Sequence, residues 1–205
     1  MIQVILKVLS GLFLFASPWV LYWTLSRGDI HVASLALIGW VILRTVPIVL
    51  AAKREHVRAA LTLPAIALVF ATLGWLFDNG TWLMVLPAAT QASFGLAFLR
   101  SLRTTPMIEN FARMVKPELS EGELAHCRAW TRIWGIYLIV VALFGLVLAA
   151  WASLAVWTIY VGLVTYGLVG VLFAVEYVVR KYKFREYGRN PLDWLLSRLF
   201  PSRPE

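Results

Sequence analysis

Charge is scarce in this chain. Only 15% of its 205 residues are charged, where a water-soluble domain carries roughly a quarter. Cysteine occurs once, as Cys127, so no intramolecular disulfide can form. The three histidines, His31, His56 and His126, are scattered, and no HxxxH, HxxEH or Cys/His spacing suits a metal. There is no G-x-S-x-G elbow and no phosphate-binding loop. No catalytic signature, metal site or cofactor is therefore expected. Strand-type alternation is missing too, which argues against a transmembrane barrel.

What the chain has is apolar length. Hydrophobic residues make up 60% of it, and they gather in six runs. These are Val8–Leu25, Val32–Ala52, Ala59–Phe77, Trp82–Leu99, Trp130–Ala150 and Ser153–Val179. A bilayer core of about 30 Å takes about 20 helical residues at about 1.5 Å each, so each run is in the spanning range. The expected fold is all-α and polytopic: six transmembrane helices within residues 1–180, a cytoplasmic loop over 100–129, and a basic tail over 181–205. The first run reads as a retained helix, because Pro18 and Trp19 follow Ser17 where a signal cleavage site would end. From Ile133 to Tyr177 the only charge is Glu176 and there is no proline. A helix that long exceeds any bilayer, so a turn is expected near Ala150–Leu154, flanked by Trp151 and Trp157 as interfacial anchors.

The formal net charge of +8 is unevenly placed. Of the 19 Lys and Arg residues, 17 lie in Met1–Lys7, Lys53–Arg58, Arg100–Arg132 and Arg180–Glu205; the others are Arg27 and Arg44. Positive loops stay cytoplasmic, which puts both termini there. The same rule accounts for the basic balance without nucleic acid, for which the basic segments have no binding motif.

Two short amphipathic helices are expected on the basic side. Thr105–Val115 groups Met107, Ile108, Phe111 and Val115 on one face, against Glu109, Asn110, Arg113 and Lys116. Ser120 and Glu123 then match a capping box that would start the fifth spanning helix. The tail opens with RKYKFREYGR, whose Tyr182, Phe184 and Tyr187 suit anionic headgroups. After Pro191, a second stretch sets Leu192, Leu195, Leu196, Leu199 and Phe200 against Asp193, Ser197 and Arg198. Gly170 and Ala174 form a small-xxx-small pair that permits close helix contact.

Six polar residues stand out. Arg44 and Glu176 fall within spans, where a charge costs about 3 kcal/mol on insertion scales. They either pair, or Arg44 snorkels and Glu176 is interfacial. Glu109, Arg113, His126 and Arg128 gather on the basic side. Their conjunction of types is suggestive, but their spacing matches no mechanism. A carboxylate pair for acid–base work would come from Glu109, Glu118, Glu121 and Glu123, which a solvated loop explains better. His126 is the sequence neighbour of Cys127, yet adjacent helical residues point about 100° apart, which does not favour a thiol–base pair.

The stretch TTPMIENFARMVKPELSEGELAHCRAWTRIWGIYL and the later GVLFAVEYVVRKYKFR carry a resemblance. The first has P-x-I-E-x-F-A-R (Pro106, Ile108, Glu109, Phe111, Ala112, Arg113), then P-E-L (Pro117–Leu119) and the pair Cys127–Arg128. The second has F-A-x-E-Y-x-x-R (Phe173, Ala174, Glu176, Tyr177, Arg180). Over this second half the chain resembles a family of small, uncharacterised bacterial inner-membrane proteins, often encoded beside genes for aryl-polyene or similar polyketide-like pigments. The resemblance implies a multi-pass inner-membrane location and an accessory or scaffold role in lipid-like biosynthesis or export. It implies acyl carrier protein or other pathway enzymes as partners beside the bilayer itself, and it supplies no catalytic residues. A transporter or flippase subunit is the first alternative. An intramembrane lipid-modifying enzyme using Glu109, Arg113, His126 and Arg128 is the second.

Overall fold

The computed structural model describes residues 16–51, 54–188 and 191–201. Among them every regular element is helical. Residues 16–25 are helical and are called α1. There follow α2 (Ile30–Ala51), α3 (Arg54–Leu76), α4 (Thr81–Ser101), α5 (Met107–Val115), α6 (Glu121–Trp151), α7 (Leu154–Ile159), a π-helical segment (Tyr160–Val164), α8 (Thr165–Phe184) and α9 (Pro191–Leu199). Three helical runs are long and apolar enough to cross a membrane: Thr81–Ser101, Glu121–Trp151 and Leu154–Phe184. Shorter apolar stretches lie in α2 and α3, over Ile30–Leu43 and Leu61–Leu76. The start of the expected first span, from Val8, lies outside the described residues.

The turn expected between the last two long helices is where the apolar pattern required it. α6 ends at Trp151 and α7 begins at Leu154. Ser153 caps the new helix, its Oγ accepting the Val156 amide at 3.4 Å.

The chain divides into two compact units: Met1–Phe94 with Leu138–Thr165, and Gly95–Tyr137 with Tyr166–Glu205. The first packs Ala33, Ala71 and Leu83 with Leu21, Leu25, Leu37 and Ile38. Its first turn uses Gly28 at φ 76°, a conformation that glycine adopts at little cost. In its second turn Asn79 Oδ1 accepts the Thr81 amide at 2.9 Å. The π-helical segment also lies here. Tyr160 donates its hydroxyl to the Val141 carbonyl at 3.0 Å, and Thr165 Oγ1 donates to the Tyr160 carbonyl at 3.0 Å.

The second unit is built on an antiparallel pairing of α6 with α8. Trp134 meets Phe173, and His126 meets Phe184. Trp130, Trp134, Cys127 and Ile108 form its core, with Phe98, Leu119, Tyr137, Val169 and Leu172 packed around them. The close helix approach falls at Gly135 rather than at Gly170. A Cβ on Gly135 would lie 2.6 Å from Leu99 Cδ2 and 3.2 Å from the Gly95 carbonyl oxygen. At Gly170 it would meet nothing within 4 Å, and Gly170 and Ala174 are exposed. The expected small-residue contact is thus corrected to the α4–α6 crossing.

Candidate functional site

Glu109, Arg113, His126, Arg128 and Glu176 all belong to the second unit. Arg44 lies in α2, and its side chain is outside the described residues, so the Arg44–Glu176 pairing is not described. The other five do not converge on one point. Each meets its own set of groups.

Glu176 is buried and holds two donors. Trp134 Nε1–H donates to one carboxylate oxygen at 2.9 Å, and Arg180, one helical turn on, donates to the other at 2.8 Å. The Trp134 indole is itself fixed by rings: Phe173 at 4.5 Å between centroids, with Tyr137 and Phe98 further out. A buried carboxylate is tolerated because both oxygens are satisfied.

Glu109 and Arg113 form an i,i+4 ion pair at 2.8 Å along α5. Arg113 also donates to the Pro117 carbonyl, which closes the chain after α5. Arg128 donates to the Leu102 carbonyl at 2.7 Å, tying α6 to the end of α4. These contacts are those of braces. His126 is buried between Trp130 and Phe184, with Nε2 lacking a hydrogen-bond partner among the described residues. Cys127 is buried in the core beside it. Among the described residues no carboxylate is hydrogen-bonded to the imidazole.

α5 is anchored by its backbone. The Ile108 amide donates to Thr131 Oγ1 at 3.2 Å, and Thr131 donates onward to the Cys127 carbonyl. Ile108 is therefore buried while Phe111, Met114 and Val115 are exposed. Ile108 and Val115, seven residues apart, share one helix face as the sequence pattern grouped them; Ile108, at the anchored N-terminal end, is buried, and Val115, at the far end, is exposed. Thr131→Val is expected to leave the Ile108 amide buried without an acceptor and to cost about 1–2 kcal/mol. Faster protease cleavage within residues 102–120 is the readout.

The capping box forms as expected. Glu123 Oε2 accepts the Ser120 amide at 2.7 Å, and Ser120 Oγ accepts the Glu123 amide at 3.3 Å. Lys116 adds a bridge, donating to Glu123 at 2.9 Å and to Glu186 at 2.8 Å.

The sequence pattern sets Asp193 of α9 against the leucines; in the fold Asp193 is 1% exposed and Leu196 is buried with it, while Leu192, Leu195 and Leu199 are exposed. Tyr177 Oη and the Gly188 amide donate to Asp193, and Lys181 donates at 2.9 Å. Tyr177 and Lys181 are an i,i+4 pair on one face of α8, so that spacing was visible. Their acidic partner was not, because it lies beyond a loop. Burial opposes ionisation of Asp193, but the hydrogen bonds from Tyr177, Lys181 and Gly188 outweigh it and hold its carboxyl below the usual range. A depressed folded value means the clamp is fully present above the ordinary carboxylate pKa, about 3.9, and is lost as pH falls through the lower folded value. α9 should stay docked at neutral and mildly acidic pH and release only below about pH 4. An acid-active protease that cuts α9 equally fast on both sides of that point would contradict this.

Among the described residues no group of three or more His, Cys, Asp or Glu is placed to hold a metal ion. Compared with family models, with curated proteins and with solved structures, the chain finds no match.

Proposed function

We propose that the chain is a six-span protein of a bacterial inner membrane with both termini cytoplasmic, serving as a non-catalytic accessory or scaffold in a lipid-like or polyketide-type biosynthetic or export pathway. The observation that carries the non-catalytic part is where the charges are spent. Glu176, Asp193, Glu123, Glu186 and Glu109 each bind a donor of the second unit itself. Groups that an enzyme would turn towards substrate fasten its helices instead. The three long apolar runs support membrane spanning, and the distribution of Lys and Arg supports the orientation. The P-x-I-E-x-F-A-R and F-A-x-E-Y-x-x-R resemblances support the pathway class. Acidic carrier proteins would suit the basic segments electrostatically.

A deletion strain tests this. Lost product with accumulated precursors supports a role in synthesis, and an unchanged product profile ends the proposal. Alanine at Glu109, Arg113, His126 or Arg128 is expected to leave product formation intact. Abolished product from a folded single variant would favour the enzyme reading.

One feature favours a transporter or flippase subunit as the second reading. The π-helical segment lies within the run Leu154–Phe184 and next to buried Thr158 and Thr165 and to Trp157, whose indole nitrogen has no partner among the described residues. π-turns recur at functional sites in helices. Normal intracellular product with failed export would select it.

A further inference from the structure

α9 has its polarity reversed for a helix in water. Asp193 and Leu196 face inwards, while Leu192, Trp194, Leu195 and Leu199 are exposed, Leu192 at 62%. Leu192, Leu195 and Leu199 stand at i, i+3 and i+7 and so form one stripe.

The depth of α9 is set by what it docks on. Asp193, near its N-terminal end, is held by Tyr177 and Lys181. These lie about 10 Å and about 5 Å before the end of α8, at about 1.5 Å per residue. Phe200, just past its C-terminal end, meets the Tyr182 ring and accepts from Tyr187. α9 therefore lies beside the last turns of α8 rather than beyond them. Exposed Val171, Phe173, Val175, Val178 and Val179 on α8 lead to that level.

Two cations, Arg198 and Arg185, flank α9, and a third, Lys183, stands at the end of α8. Arg198 stacks on Trp194 at 4.0 Å, Arg185 lies over Tyr182 at 5.2 Å and Phe200 at 5.5 Å, and Lys183 lies over Phe184 at 5.3 Å. Among the described residues none of these three cations is paired with a carboxylate. A second copy of the chain on this face would bring like charges together. An anionic lipid surface would neutralise them.

We propose that α9 lies in the headgroup layer of an anionic membrane, with Leu192, Leu195 and Leu199 in the acyl boundary and Lys183, Arg185 and Arg198 at lipid phosphates. The proposal rests on α8 spanning the bilayer, as the proposed function requires. Aromatic rings carrying a cation suit this level, because one side of the group is apolar and the other wet.

The full chain carrying Leu195→Cys, labelled with a nitroxide, tests it in vesicles of phosphatidylcholine with and without phosphatidylglycerol. The parent chain, whose single thiol is buried, is the labelling control, and Phe173→Cys reports on α8. With phosphatidylglycerol the label at 195 is expected to collide with oxygen and be shielded from a water-soluble nickel chelate. Alanine at Lys183, Arg185 and Arg198 together should raise nickel access several-fold. Nickel access at 195 in both vesicle types, with 173 in lipid, overturns the proposal alone. Nickel access at 173 overturns the spanning reading and the proposal with it. Equal shielding without phosphatidylglycerol overturns the anionic assignment. Shielding that grows with protein-to-lipid ratio assigns the face to a second copy and overturns the lipid assignment.

Discussion

Glu176→Ala is expected to destabilise the protein by about 3 kcal/mol, the lower end for breaking a buried ion pair, because Arg180 is partly exposed. Two groups lose their acceptor at once. The Trp134 indole N–H is buried, and Glu176 is the acceptor it loses. The Arg180 guanidinium loses its charge partner in a stretch expected to lie at the membrane boundary. Glu176→Gln keeps an acceptor for Trp134 and should cost less than alanine. Trp134→Phe removes only the indole bond and should cost about 1 kcal/mol beyond repacking. Unfolding midpoints in detergent micelles, arranged as a double-mutant cycle, separate the two bonds. An alanine variant within about 0.5 kcal/mol of the parent would show that this carboxylate does not brace α6 against α8.

The second large effect belongs to a residue without a side chain. Gly135→Leu should prevent the second unit from assembling, and even Gly135→Ala should cost about 1–3 kcal/mol through overpacking. The added Cβ would lie 2.7 Å from Leu99 Cγ, a branch point that cannot swing aside as a terminal methyl can, and the Gly95 backbone stands behind it. Gly167→Ala is the matched control. There a Cβ meets nothing within 4 Å, so the substitution should be neutral, or stabilising by up to about 1 kcal/mol through helix propensity. The yield of monodisperse protein in detergent reads both. A Gly135→Leu variant that purifies like the parent would mean that α4 and α6 can separate at this crossing without loss.

Length and local chemistry made much of the architecture legible from residues alone. Three of the six apolar runs anticipated the helical runs long and apolar enough to cross a membrane, because spanning length is set by the bilayer and is insensitive to neighbours. The Ser120–Glu123 cap was legible because both partners sit three residues apart in one turn. So was the break after Trp151, which no bilayer would accept as continuous helix. Facing directions were less legible. α5 and α9 each carry a broad apolar arc, and hydropathy alone does not select which part of it is buried. A single polar anchor selects it: the hydroxyl of Thr131 for α5 and the carboxylate of Asp193 for α9. Both anchors are made by residues distant in sequence. The choice of Gly135 over Gly170 is similar, since spacing marks which glycines are available and only the partner helix decides which is used.

The second unit joins Gly95–Tyr137 to Tyr166–Glu205, with another unit's segment between them. Synthesis proceeds from the N-terminus at about 5–20 residues per second. Trp134 therefore leaves the ribosome seconds before Glu176 exists to receive its N–H, and Lys116 precedes Glu186 by 70 residues. α5 can dock on α6 early, through Thr131, but its outer end waits for the last part of the chain. A chain cut short before α8 would hold most of its apolar helices and still lack Glu176 and Glu186, the acceptors of Trp134 and Lys116. Quality control that recognises such orphaned donors would have its clearest signal at this late step.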